Sequence, residues 1–154
     1  MAKKNMDYDN PEIEEAWCDE RRAEVTDYLR SQGVVSGRIG EWPAWHIAPY
    51  VSVWAVESGE TAGAIGWWVI SGDLPTDYIS GREADDPRQA VGMFARRWNE
   101  AAEDMCAGRS APHVKIGRTS HERSTLAPLL KSRAALLADW AERDDLWADL
   151  LDDV

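Results

Sequence analysis

The chain predicts a soluble α+β domain. Its expected core is a small antiparallel sheet, a hairpin plus a short extra strand, packed by three helices from both ends of the chain. Three observations carry that prediction. Segments with helical periodicity flank a central stretch, 34–71, where β-branched and aromatic residues take over. The aromatic complement is unusual, with nine Trp against four Tyr and one Phe, and five of the indoles fall between Trp42 and Trp68, inside that stretch. At 154 residues a single domain, 1–154, should bury roughly 70% of its unfolded surface, so neither disulfides nor a metal are needed to hold it.

The first helix is marked by Asp9 or Asn10 as cap, Pro11 in the first turn, and Glu12, Glu14 and Glu15 complementing the positive helix end. Ile13, Trp17, Val25, Tyr28 and Leu29 approximate one apolar face, Arg21 and Arg22 lie near the polar side, and Gly33 is the expected stop. Residues 1–9 before it are expected to be flexible. A short strand is expected around Val34–Ile39. Then 46–56 and 65–70 read as the two strands of an antiparallel hairpin joined by the turn-rich 58–63. Pro49 belongs at a strand start or an edge. Alternation sends Trp67 and Trp68 to opposite faces, and sets Val51, Val53 and Ala55 against Ser52, Trp54 and Val56. Both faces are therefore apolar, and each requires either a helix or a partner to cover it.

Residues 72–85 read as a loop. Asp86-Pro87-Arg88-Gln89 announces the second helix with a capping box, and Val91, Phe94, Ala95, Trp98 and Ala102 continue it to near Gly108. A long basic loop is expected over 109–123. The third helix starts near Thr125, with Pro128 in its first turn, and runs through Leu129, Leu130, Leu137 and Trp140. Leu146, Trp147, Leu150 and Leu151 among aspartates form an acidic amphipathic segment, 144–154.

Charge and composition exclude several classes. The net charge of −11, from 28 acids and 17 bases, opposes nonspecific nucleic-acid binding. Two cysteines, Cys18 and Cys106, are too few for a zinc framework or a disulfide scaffold, and the acids around Cys18 favour packing over reactivity. The start, MAKKNMDYDN, lacks the apolar core of a signal peptide and no run is long enough to span a bilayer, so a cytoplasmic location is expected. No nucleophile elbow, H-E-x-x-H pattern or nucleotide-binding glycine loop is present, and no cofactor or metal is expected.

The block Glu41-Trp42-Pro43-Ala44-Trp45-His46, with Pro49–Trp54 and the run Gly66-Trp67-Trp68-Val69-Ile70-Ser71-Gly72-Asp73-Leu74-Pro75-Thr76-Asp77-Tyr78, resembles an uncharacterised bacterial family of domains of unknown function. Trp17-Cys18, Tyr28-Leu29, Ile39-Gly40 and Pro87-Arg88 with Trp98 add to the likeness, which spans roughly Trp17 to Trp98. It implies a relative and no activity.

Candidate sites follow from residue chemistry. Trp42, Trp45, Trp54, Trp68 and Trp147 are candidate partner-binding anchors, because indoles combine large contact area with few rotamers. Lys115, Arg118, His121 and Arg123 are candidates for holding an anion. His46 with Asp73 and Asp77 is the one set resembling acid–base or hard-cation chemistry, while Gly-Asp-Leu-Pro-Thr-Asp also describes an ordinary turn after a strand. The resulting expectation is a non-catalytic protein-binding module, of the immunity or anti-defence inhibitor kind. It would dock on a basic partner through indole anchors and an acidic surface. Its alternative is a small-ligand binder or hydrolase-like enzyme with a Trp-lined pocket around His46, Asp73 and Asp77.

Overall fold

Three long helices and a five-stranded antiparallel sheet make up an α+β fold, which the computed structural model describes over residues 7–107 and 120–148. The chain divides into two units, Met1–Arg82 and Glu83–Val154. The first holds α1 (Pro11–Ser31) and strands β1 (Ser36–Ile39), β2 (Trp45–Ile47), β3 (Val51–Ser58), β4 (Ile65–Gly72) and β5 (Leu74–Ser80). The second holds α2 (Pro87–Cys106), α3 (Ser120–Glu142) and a 3₁₀ turn, Asp144–Trp147.

Helix α1 begins where the Asn10 side chain accepts the Glu12 N–H at 3.0 Å, with Pro11 at the first helical position. It ends in a Schellman motif. Gly33, at φ 69°, donates to the Arg30 carbonyl at 3.1 Å, and Val34 donates to the Leu29 carbonyl at 3.0 Å. Only glycine takes that φ without cost, which makes Gly33 the stop.

Strand β3 is the centre of the sheet. β4 lies along one edge, while β2 (beside Val51–Val53) and β1 (beside Val56–Ser58) share the other. β5 pairs only with β4 and closes the order β1-β3-β4-β5. The register Trp54↔Val69↔Tyr78 and Val56↔Trp67 puts these side chains on one face. There they join Val25 and Leu29 of α1 in one core, with Tyr28 edge-on to Tyr78 at 5.9 Å. Trp45, Val53, Trp68, Ile70, Asp77 and Ile79 project from the opposite face and are also buried. The expected alternation of Trp67 against Trp68 is therefore present.

In the second unit, Asp86 accepts the Gln89 N–H at 2.8 Å, and Gln89 Oε1 accepts from Asp85 N–H at 2.9 Å. This is the expected capping box with its return bond moved out by one residue. Val91, Phe94, Ala95, Trp98 and Ala102 are all buried. α2 packs on α3, and Arg88 clamps their ends. Its Nε donates to the Ala141 carbonyl at 2.6 Å and its Nη2 to Asp144 at 2.7 Å.

Three expectations are corrected. The loop expected over 72–85 contains β5, because Thr76, Tyr78 and Ile79 are good strand formers and an edge strand tolerates Pro75. The single strand expected over 46–56 is two strands. Tyr50 N–H donates to the Ile47 carbonyl at 2.7 Å across a turn whose Ala48–Pro49 peptide is cis. α3 starts at Ser120, not near Thr125, so the end of the expected basic loop is helical and Pro128 sits inside the helix, which forgoes one i→i−4 bond. Residues 1–6, 108–119 and 149–154 fall outside the described residues.

Trp54 is fully buried, and its Nε1–H donates to Ser52 Oγ at 2.9 Å, which in turn donates to the Ser71 carbonyl at 2.9 Å. Trp54→Ala is expected to cost about 3–5 kcal/mol in chemical denaturation, the range for emptying a buried aromatic site. A loss near zero would place the indole outside the core.

Glu57 closes the β3–β4 connection. Its carboxylate accepts the Gly63 N–H at 3.0 Å and the Arg38 N–H at 3.2 Å, and these two bonds, Gly63 first, hold its pKa below the usual glutamate range. Because the folded pKa is the lower one, this tether is complete above the ordinary glutamate value and is lost as pH falls through the folded value. The amide resonances of Gly63 and Arg38 should titrate with a midpoint below that of an ordinary glutamate; a midpoint at or above it contradicts the tether.

Candidate functional site

The first half of α1 and two sheet turns line a cleft of about 640 Å³. Helix residues Glu12, Ile13, Ala16, Trp17, Glu20 and Arg21 form one wall. The β2–β3 turn supplies Pro49 and Tyr50, the β4–β5 turn supplies Gly72 and Asp73, and Tyr8 completes the lining. The helix contributes through its period, since positions 12, 13, 16, 17 and 20 share one flank. The two turns are held together by Asp73 N–H donating to the Tyr50 carbonyl at 2.9 Å. Gly72, at φ 148°, permits that approach, because a Cβ there would collide with the Tyr50 carbonyl oxygen.

Trp17 is buried beneath the cleft, whereas Glu12, Glu20, Tyr50 and Asp73 are exposed at its mouth. Three carboxylates thus face one guanidinium, and that guanidinium is already engaged. Arg21 lies 5.6 Å from the Trp17 ring centroid and pairs with Glu20 and Glu24, each at 3.4 Å. Its Nε is buried with no hydrogen-bond partner among the described residues. The cleft therefore combines a negative rim with aromatic walls, which suits a group that is cationic at its head and apolar along its stem.

His46 packs against Trp17. Its Nε2 is 3.1 Å from the Glu14 carboxylate, and its ring stacks at 6.3 Å on Trp17 and lies 6.4 Å from Trp42. Next to it, Glu15, Cys18, Asp19, Arg22, Glu41 and Trp42 line a hollow of about 190 Å³. Arg22 is engaged here as well, donating from Nε to the Gly40 carbonyl and from Nη2 to the Ile39 carbonyl, both at 2.9 Å.

The set His46, Asp73 and Asp77 does not assemble. His46 pairs in register with Ser52, whereas Asp77 pairs with Ile70 and through it with Val53, so the two side chains leave opposite faces of the sheet. Asp77 is buried and accepts the Tyr78 N–H at 2.9 Å, a local turn-like bond. Asp73 belongs to the cleft, and the carboxylate beside His46 is Glu14. Among the described residues no group of three or more His, Cys, Asp or Glu is placed to hold a metal.

The indole candidates separate sharply. Trp54, Trp68 and Trp147 are 0%, 2% and 1% exposed and Trp45 is 7% exposed, so none reaches a partner without opening the fold; Trp42 is 51% exposed. Trp147 donates its Nε1–H to the Trp140 carbonyl at 2.8 Å, which ties the 3₁₀ turn onto its own unit. Lys115 and Arg118 lie outside the described residues, as do the side chains of His121 and Arg123. Glu12, Glu14, Trp17, Glu20, Arg21 and Tyr50 were absent from the sequence-derived candidates. The acids of the first turn read as complements to the helix end, and Trp17 as one more apolar position. The available signal was Trp17 and Arg21 at i, i+4 amid acids.

These features define an α+β domain with two concave sites bordering its first helix; a third, of about 360 Å³, lies between α2 and α3 and is lined largely by alanines. The chain belongs to the family described as domain of unknown function (DUF4826), whose model matches residues 12–147. Comparison with curated proteins and with solved structures finds no match. No helix among the described residues is long and apolar enough to cross a membrane.

Cys18 is 1% exposed, and burial first, then the charges of Glu14 and Asp19, push its thiol up to about 11. Cys106 is exposed. At neutral pH a bulky thiol reagent should modify one site per folded chain, at Cys106, and reach Cys18 only after denaturation. Modification of Cys18 in the folded chain would contradict its placement.

Proposed function

We propose that this protein is a non-catalytic binding module that receives a cationic group of a basic protein partner in the cleft beside α1. The observation that carries this reading is the cleft's composition: Glu12, Glu20 and Asp73 at the rim outnumber the one cation of the lining, Arg21, which is also paired with Glu24, and Tyr8, Trp17 and Tyr50 supply the aromatic walls. The whole-chain charge of −11 supports it, since a negative surface speeds encounter with a basic target and disfavours acidic ones. Stoichiometric inhibition of a basic protein, in the manner of an immunity or anti-defence inhibitor, is the form of binding this charge suits. The indole of such a module that reaches its surface is Trp42, 51% exposed, while Trp17 lies buried beneath the cleft.

A second reading, a free small organic cation in the same cleft, is favoured by volume. About 640 Å³ lies within the range of small-molecule sites, roughly 300–1,000 Å³. Competition separates the two, because a free amine at modest concentration displaces a peptide only if it occupies the cleft by itself.

The test is calorimetric titration with a short lysine- or arginine-containing peptide. Replacing Glu12→Gln, Glu20→Gln and Asp73→Asn together should weaken binding about tenfold, as three exposed charge contacts of about 0.5 kcal/mol each would give. Binding should also weaken as salt shortens the screening length. Equal affinity of the triple variant and the parent contradicts the assignment.

A further inference from the structure

Trp17 lines the cleft yet is only 7% exposed, so a ligand reaches its ring only if a group lying over the ring moves. The structure places the chain's own cation there. The Arg21 guanidinium lies 5.6 Å from the Trp17 ring centroid, within the range of cation–π attraction, and Arg21 lines the same cleft. Arg21 is also weakly held for an arginine so little exposed. Its ion pairs, Nη2 to Glu20 and Nη1 to Glu24, are both 3.4 Å long, beyond the roughly 2.7–2.9 Å of a strong charge-assisted bond. Its Nε–H is buried with no acceptor among the described residues, an unfavourable state that hydration would relieve. Two other arginines show the contrast. Arg22 and Arg88 each donate from Nε to a carbonyl, at 2.9 and 2.6 Å, and each adds a second short bond from Nη2, at 2.9 and 2.7 Å.

We propose that Arg21 is a displaceable internal cation, an autoinhibitory gate that covers the indole floor of the cleft until the partner's cationic group takes its place. This rests on the reading of the cleft given above and adds how that site is regulated. The exchange is close to balanced. The incoming cation gains the Trp17 ring and the exposed carboxylate of Glu20. The outgoing guanidinium keeps Glu24, which Ser71 and Thr76 hold in place at 2.6 and 3.3 Å, and its Nε–H reaches water. An internal competitor lowers the apparent affinity of every cation by the fraction of time the seat stands open. The gate therefore favours a partner that holds its cation in place through contacts elsewhere, over free amines.

The experiment titrates a short lysine-containing Gly/Ser peptide into the intact chain and into two variants, followed by calorimetry. Arg21→Gln removes the competitor and should bind the peptide at least about threefold tighter than the parent. Arg30→Gln removes the same charge from an exposed position in the last turn of α1 and should leave the affinity unchanged. A second measurement needs only the parent chain. The Arg21 Nε–H should exchange slowly with solvent in the free protein and lose that protection once peptide saturates it. Arg21→Gln binding no tighter than the parent, an equal gain in Arg30→Gln, or an Nε–H indifferent to bound peptide each overturns the gate and leaves the cleft reading standing. Binding by Arg21→Gln alone supports the gate in its strongest form. Binding by neither the parent nor Arg21→Gln overturns both.

Discussion

Glu24 fixes where α1 lies on the sheet, and the cleft depends on it. Its Oε1 accepts from Ser71 Oγ at 2.6 Å and from Thr76 Oγ1 at 3.3 Å, while Oε2 pairs with Arg21 at 3.4 Å. Ser71 and Thr76 belong to β4 and β5, so one half-buried carboxylate ties the helix to two strands. Apolar packing of Val25 and Leu29 on Trp54, Val56 and Val69 supplies most of the attraction, yet it is non-directional. The charge-assisted bonds at Glu24 specify the register. Sliding α1 by one residue would break them and carry Glu12, Trp17 and Glu20 away from the turns at Tyr50 and Asp73.

From that constraint the functional surface follows. Once α1 is placed, Trp17 contacts both His46 and Arg21, and Arg21 and Arg22 turn inward, toward Glu24 and toward the Ile39 and Gly40 carbonyls respectively. These two basic side chains are thereby engaged while acids stay at the rims. The helix presents negative charge on both flanks even though Arg21 and Arg22 sit in its middle. Arg22 also braces β1, so the same bonds that hold the first strand against the helix shape the smaller hollow.

Much of this was legible in the sequence, and the failures are physical ones. The cap at Asn10, the stop at Gly33, the opposite facing of Trp67 and Trp68 and the start of α2 at Asp86-Pro87 are local signals, and local signals survive folding. In sequence β5 reads as a loop because Gly72, Asp73 and Pro75 are turn residues, and only pairing with β4 reveals the strand. Trp54 and Trp68 looked like anchors because indoles serve binding surfaces and cores equally well, and sequence does not distinguish the two. Asp77 and His46 looked like partners because separation along the chain conceals the parity that sends them to opposite faces. The cleft itself joins α1 to turns nearly forty and sixty residues away, which no local pattern encodes.

Nine indoles make the central claim directly measurable, since each gives its own Nε1–H resonance. Titrating the isotopically labelled chain with a basic peptide and following those nine signals tests whether cations bind beside α1. The account predicts that Trp17 and Trp42 shift in a saturable, salt-sensitive way, while the buried Trp54, Trp68, Trp98 and Trp147 hold their positions. Saturable shifts confined to the buried indoles, or no shift at any of the nine, would contradict it.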